Sequence, residues 1–533
     1  MEAYDYVIVG GGTAGCILAN RLTASGTRRV LMLEAGGEPA SMWINIPAGF
    51  SKLLTNKQYN WRFQTEAEEN TNQRVIAVPR GKGLGGSTLI NGMVYVRGQA
   101  GDYDAWRDAG AKGWGWKDVE PYFRKLENYE KGGSTRGHDG PMKLEQVRER
   151  FPISDAFVTA AQQDGLPFNE DYNAERQEGV GYYQVTQNRG RRWSVYDGYL
   201  RPALSRKNLT VVTHAHALRL ELDGKRCTGV TYRKDGQELT VAAHVEVILT
   251  AGAIQSPQLL ELSGIGQAEL LKAHGIPVRH GLQGVGENYI DHFCTRLNWR
   301  VKDVVTLNEM SRGWRLSLAV SQYYARRTGI LTLGTGLVHA FVKTRPEMAT
   351  ADAQFFFVHA SYANAAERIL DKLPGMTIGV TQLRPHSIGT IHIKSPDTFA
   401  GPSIRPNFLS NPVDEECMVR SMQIARRIVA QPALRNHVVE EMSPGPEVRT
   451  DADWLSFARR NGQTIYHPIG TCKMGEDEDA VVDLRLRVRG LEGLRVADAS
   501  VMPKMVSGNI QAAVMMVAEK AADLILEDAA GRA

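Results

Sequence analysis

The chain has 533 residues, beyond the size at which one hydrophobic core stops growing, so two packed domains are expected. Sixty-three Lys+Arg against 59 Asp+Glu leave a net charge of +4, and neither sign forms a long run, which argues against a nucleic-acid groove or a polybasic membrane arm. Five scattered cysteines (Cys16, Cys227, Cys294, Cys417, Cys472) without a C-x-x-C pair argue against a disulfide framework and a structural zinc, so no metal is expected.

No apolar run reaches the roughly 18 residues of a membrane span, and Met1–Asp5 carries no basic region ahead of an apolar segment. A cytoplasmic location is the expectation.

The segment "YDYVIVGGGTAGCILANRL" starts as a buried strand and turns through Gly10, Gly12 and Gly15 into a helical pattern. G-x-G-x-x-G between strand and helix suits a pyrophosphate. Gly10 makes the turn, Gly12 lets backbone N–H groups approach the anion, and Gly15 lets the helix pack on the strand. A second strand, "RRVLMLEAG", ends at Glu34, where a carboxylate can bind both ribose hydroxyls. These residues indicate a dinucleotide without choosing between NAD and FAD.

"VPRGKGLGGSTLINGMVYVRG", residues 78–98, is dense in glycine (Gly81, Gly83, Gly85, Gly86) and then offers Ser87, Thr88 and Asn91. Main chain of this kind can lie against a flat ligand or form a plain loop. Residues 205–255 read as short strands, and "IQSPQLLELSGIG" as a helix closed by Gly264. Residues 295–460 mix strand-like "FFFVHA" with helical "MVRSMQIARRIV" and carry no phosphate signature, so they are the candidate substrate-binding region.

The last segment returns to the style of the first, with a strand at "LRVADASVMP" and a helix entered through Gly508 and Asn509. Between them "TIYHPIGTCKMG" raises a question about His467. It could be a metal ligand with Cys472, a proton carrier, or an imidazole that caps a turn.

Taken together and in order, the motifs resemble the glucose-methanol-choline (GMC) oxidoreductases, and bacterial alcohol, sorbose and polyethylene-glycol dehydrogenases are nearest in look. Gly10, Gly12, Gly15 and Glu34 match the FAD fingerprint, "GKGLGGSTLINGMVYVRG" and "GAIQSPQLLELSGIG" the two family signatures, and "GVGENYIDH" and "YHPIGTCKMG" two further landmarks.

The resemblance implies an α/β fold, with a Rossmann-like FAD domain over 1–150, 189–293 and 463–533. A second α+β substrate domain on an antiparallel sheet would take 151–188 and 294–462. It implies FAD contacts at Gly10, Gly12, Thr13, Ala14 and Gly15, at Glu34 and Ala35, and at Gly83, Gly86, Ser87, Asn91, Gly92, Met93 and Val94. Further contacts are implied at Ala217 (adenine), Ala251, Asp498 and Ala499 (pyrophosphate and ribityl), and Asn509 and Gln511.

His467 and Asn509 fall where the family places its catalytic pair, with His467 as general base while hydride passes to flavin N5. Ile90 holds the place of the histidine that links flavin in some relatives, so non-covalent FAD is expected. Choline-type relatives carry a glutamate near Leu337 and His339. Those two residues are therefore expected beside the substrate, and a quaternary ammonium alcohol is not.

Two departures stand out: after Asn509, Gln511 and Ala513 replace a common asparagine and proline, which leaves the start of the last helix open, and Ile388 replaces a frequent arginine in "RPHSIG", a change with no functional reading. The implied reaction is oxidation of a small alcohol, with oxygen or a quinone or dye as acceptor, by a monomer or homodimer. An oxygen-using oxidase of aryl or furanic alcohols, a non-redox hydroxynitrile lyase of the same family, and an NAD-dependent reductase are the alternatives.

Overall fold

The computed structural model describes residues 3–364 and 369–531. Its first sheet is built on Ala3–Val9, buried along most of its length, which pairs in parallel with Val30–Leu33 and with the C-terminal half of Gln237–Leu249. Leu209–Val212 and Leu494–Val496 extend the parallel part at either side. The Val/Ile/Leu runs of these strands suit a sheet covered on both faces. The N-terminal half of Gln237–Leu249 continues antiparallel with Arg226–Lys234 and then His216–Asp223.

Helix Thr13–Thr23 packs against the last helix, Gln511–Ala530, and Arg21 of the first pairs with Glu519 and Asp523 of the last. The two ends of the chain thus complete one domain.

The second sheet is antiparallel, in the order Val438–Ser443, Phe293–Val301, Gly375–Gln382, Ala353–Val358, Val338–Val342, Gly179–Tyr182. Helices Pro152–Gln163 and Pro412–Val429 share its hydrophobic core, where Phe157 stacks on Phe357 with centroids 4.7 Å apart. Phe293–Val301 alternates: Leu297, Trp299 and Val301 are buried, while Arg296, Asn298 and Arg300 are half-buried on the opposite face. That second face looks toward the first domain.

The architecture is that of the expected fold class, and the segments cross between domains more than the sequence suggested. Gln463–Thr464 pairs with Phe293 and Cys294 in the second sheet, so both sides of the expected 293/294 and 462/463 divisions lie in one ladder. The hairpin Thr390–His392 and Ser403–Arg405 packs Ile391 and Ile404 against Val78, Ile254 and Tyr289, all from first-domain segments. This interleaving brings the His467 loop and the second sheet to opposite walls of one cavity.

Candidate active site

The cavity runs from the C-terminal ends of the first parallel strands to the open face of the second sheet. At its dinucleotide end lie Gly10, Gly12, Thr13 and Ala14 of the strand-helix turn, with Glu34 and Ala35 after the next strand. Gly10 has φ +111°, and a Cβ there would sit 2.6 Å from the Thr250 carbonyl oxygen. A Cβ at Gly12 would meet nothing closer than 3.8 Å, so its role is to leave main chain open to the cavity. Gly15 does not line the cavity; a Cβ there would be 2.0 Å from the Gly10 carbonyl oxygen, which is the close helix-on-strand packing its spacing predicts.

Glu34 departs from its simple reading. Its carboxylate accepts backbone N–H bonds from Gly11 (2.8 Å), Gly36 (2.7 Å) and Gly83 (3.0 Å), clamping three loops together. Of the roughly four lone pairs of a carboxylate, about one remains for a ribose hydroxyl, where the sequence assigned two. Gly83 serves through that backbone bond and does not line the cavity.

The glycine-rich loop contributes Gly86, Ser87, Asn91, Gly92, Met93 and Val94. Ala217 and Ala251 line the dinucleotide end, with Asp498 and Ala499 beneath. Asp498 holds the Gly252 N–H (2.8 Å) and the Ser256 hydroxyl (2.6 Å).

The residues fit a dinucleotide. Helices Thr13–Thr23 and Gln511–Ala530 both open on the cavity without a side-chain cap, so their first-turn N–H groups and positive dipole ends are free for anionic groups. Gln511 lines the cavity, takes a bond from Asn91, and keeps a buried Nε2 with no partner among the described residues. Despite the missing proline, the last helix begins at Gln511.

His467 is buried at the junction with the second sheet. Its backbone N–H donates to Asp291 (2.8 Å), whose other oxygen accepts from Thr464 (2.5 Å) and Tyr289 (3.1 Å). Its Nδ1 lies 2.9 Å from Nδ1 of His292, and Nε2 of His292 lies 2.9 Å from the Leu383 carbonyl. A carbonyl only accepts, so His292 is protonated on Nε2 and its Nδ1 carries a lone pair. His467 must then donate through Nδ1, which leaves its Nε2 as a bare lone pair facing Asn509.

Burial first, then the neighbouring His292 and Arg80, push His467 well below the usual imidazole pKa, so it stays neutral at physiological pH. Burial likewise pushes His292 down to about 4, against the bond to Leu383, which raises it.

Asn509 lies 3.3 Å from that Nε2 through its Nδ2. Its Oδ1 accepts from Gln354 (3.3 Å), which also donates to Tyr183 (2.8 Å), so the amide is turned with its donor toward the histidine. Upstream, Asp102 holds the N–H (2.7 Å) and hydroxyl (2.8 Å) of Ser507, and Gly508 turns at φ +128°. Cys472, the other half of a possible metal pair, is buried in the first domain's core and does not line the cavity.

Leu337 and His339 are not in the cavity wall. Both are buried in the core of the second sheet, with His339 packed against Tyr172 and Tyr183. His339 pairs with Phe356 and so takes the same face of the sheet as the cavity wall, but Tyr172 and Tyr183 pack over it.

The sequence did not single out His292, Asp291, Gln354, Phe356 or Arg296. The landmark "GVGENYIDH" contained the first two, and the alternation of "TRLNWRV" was the available sign that Arg296 faces away from the core.

A dinucleotide cradle beneath an antiparallel substrate lobe, with a neutral histidine between them, defines a redox enzyme of the flavoprotein type. GMC oxidoreductase models match residues 4–294 and 385–518, and the chain belongs to the GMC oxidoreductase family. It is 40% identical over 531 residues to alcohol dehydrogenase [acceptor] of Pseudomonas putida, covering 98% of this chain and 96% of that one. It is also 40% identical to the mitochondrial choline dehydrogenase of Homo sapiens, over 98% and 90% of the two chains. Pyridoxine 4-oxidase from Mesorbium loti superposes with a TM-score of 0.90 at 30% identity, over 98% of this chain and 99% of that one. Membership implies FAD as cofactor and CH–OH groups as donors.

Proposed function

We propose that this enzyme oxidises an alcohol to a carbonyl compound with Nε2 of His467 as general base and FAD held without a covalent bond. FAD, when bound, supplies the two-electron acceptor for the hydride leaving the carbinol carbon. An unactivated hydroxyl is about as weak an acid as water, with a pKa of roughly 15.7, so the carbon cannot release hydride readily unless the oxygen loses its proton. The observation that carries the reading is the bond chain Leu383–His292–His467, which leaves an unprotonated Nε2 at the cavity wall.

The alcohol proton passes to that nitrogen as the C–H bond breaks and the C=O bond forms. The Asn509 amide beside it can donate to the substrate oxygen without titrating. Arg80, whose guanidinium bonds the Tyr466 carbonyl next to His467, adds positive field that favours the developing alkoxide.

Electrons then pass to an external acceptor, oxygen or a quinone; the relative named for an unspecified acceptor is compatible with either. Anaerobic mixing of the holoenzyme with a panel of primary and secondary alcohols, followed by air or a quinone, tests the reading. Bleaching of the yellow flavin and its return are expected. An unchanged spectrum with every alcohol, together with cyanohydrin cleavage, would make the protein a lyase.

A further inference from the structure

The cavity wall carries four charged side chains among its described residues: Glu34, Arg80, Arg296 and Asp498. Three are engaged. At the dinucleotide end Glu34 takes three backbone N–H bonds and Asp498 four backbone and hydroxyl donors. Arg80 bonds the carbonyls of Pro79 and Tyr466 and lies near Asp291.

Arg296 differs. It is half-buried and makes no ion pair with a described residue; its protein partner is the neutral amide of Gln463, which accepts at 2.6 Å when its oxygen faces the guanidinium. The centre of that guanidinium stands 5.7 Å from the ring centroid of Phe356. Phe356 can take that position because the residue between them in the sheet is Gly379, where a Cβ would fall 1.9 Å from the ring.

A half-buried guanidinium without a counter-charge gives up hydration that an amide replaces only in part. It presents a planar fork suited to a carboxylate. We infer that Arg296, floored by Phe356 and steadied by Gln463, is the anion-binding end of the substrate lobe, and that the preferred substrate is an alcohol carrying a carboxylate remote from its hydroxyl.

The spacing limits that substrate. His292, which contacts His467, immediately precedes strand Phe293–Val301 and lies four residues before Arg296, about 13 Å of backbone at about 3.3 Å per residue. The carboxylate must therefore be several bonds from the reacting carbon, as in an ω-hydroxy acid, with the hydrocarbon between them reaching Phe356. The same charge disfavours a quaternary ammonium alcohol, because no free carboxylate among the described lining residues faces this lobe.

This inference rests on the alcohol-oxidising reading, and the experiment separates the two. Initial rates of the FAD-loaded enzyme are measured with ω-hydroxy acids of six to twelve carbons (roughly a 7–15 Å span), each beside its methyl ester, and with choline. For at least one chain length the acid should exceed its ester in kcat/KM by about tenfold to a hundredfold, the range of a hydrogen-bonded charge pair. That ratio should fall to near one in Arg296→Gln and recover in part in Arg296→Lys.

Turnover of esters with no acid preference at any length, a ratio unmoved in Arg296→Gln, or choline as the best substrate would overturn the anion site while leaving the alcohol oxidation standing. Should Arg296→Gln lose FAD, the wild-type ratio and the lysine variant decide. Failure of every alcohol to reduce the flavin would instead remove the reading beneath it.

Discussion

The Nδ1 atoms of His292 and His467 lie 2.9 Å apart, and since His292 spends its own proton on the Leu383 carbonyl, His467 is held as the tautomer with Nε2 free. This pair leaves an imidazole in a buried loop with an unprotonated nitrogen aimed at the cavity. In the proposed mechanism His292 acts through His467 and is a positioning residue.

Replacing it by leucine removes the acceptor that fixes the tautomer, and should slow anaerobic flavin reduction by about 10 to 100-fold, as loss of an orienting partner does elsewhere. The pH profile gives the sharper sign. His467 has a lowered pKa, so wild-type reduction should hold through pH 6.5 and fall only at lower pH, as the base takes up a proton. Burial is the largest cause of that lowering and stays in His292→Leu, while the accepting lone pair that steadies a protonated His467 is lost, so the acid limb should stay below 6.5 and not move upward. Stopped-flow reduction across pH checks this; a reduction rate within a few fold of the wild type would leave His292 a packing role.

The amide of Asn509 should matter less than the base it faces. Asn509→Ala removes one orienting donor, and a loss of about tenfold in the reduction rate is expected, close to one hydrogen bond. Gln354→Leu leaves the amide present but free to turn, so a smaller loss is expected, carried by kcat more than by KM. A Gln354→Leu variant slower than Asn509→Ala would reverse this order.

Ile90 lines the cavity with no nucleophile to offer a flavin. Acid precipitation of the holoenzyme should therefore release all yellow colour into the supernatant. Colour that stays with the pellet after washing would mean a covalent link at another residue.

His339 and His359 are buried with no hydrogen-bond partner on either ring nitrogen among the described residues, and burial pushes each down to about 3. Each has an ordinary pKa near 6.5 when unfolded, so below pH 6.5 the unfolded chain takes up protons that the native one refuses. Stability should then fall with pH by about 1.4 kcal/mol per pH unit for each such histidine, down to its folded pKa. His339→Leu should flatten the decline of Tm between pH 6 and 4 while alcohol kinetics change less than about twofold, since the side chain is outside the cavity wall. A large rise in KM would put His339 back beside the substrate.

The dinucleotide half was legible because its chemistry is local. Gly10, Gly12 and Gly15 act within one turn, and the strand and helix around them follow from periodicity. Even there, Glu34 reads differently in three dimensions, because Gly83 reaches it from a loop 49 residues away.

The substrate half was legible only as a region. Its wall is one face of a sheet whose strands come from distant parts of the chain, so Arg296, Gly379 and Phe356 become neighbours through register, which no local pattern shows. Leu337 was placed by position along the chain, and position does not show that core packing keeps it out of the cavity wall. His467 was recognisable, but what fixes its tautomer lies in His292, 175 residues away.

The central claim is that His467 takes the substrate proton, and the most direct measurement is single-turnover anaerobic reduction of the FAD-loaded His467→Ala variant. The variant should keep its flavin spectrum while the reduction rate falls by about 10² to 10⁴, the range of a positioned general base, with the acid limb of the wild-type profile gone. A variant with bound flavin and a reduction rate within a few fold of the wild type would contradict the account.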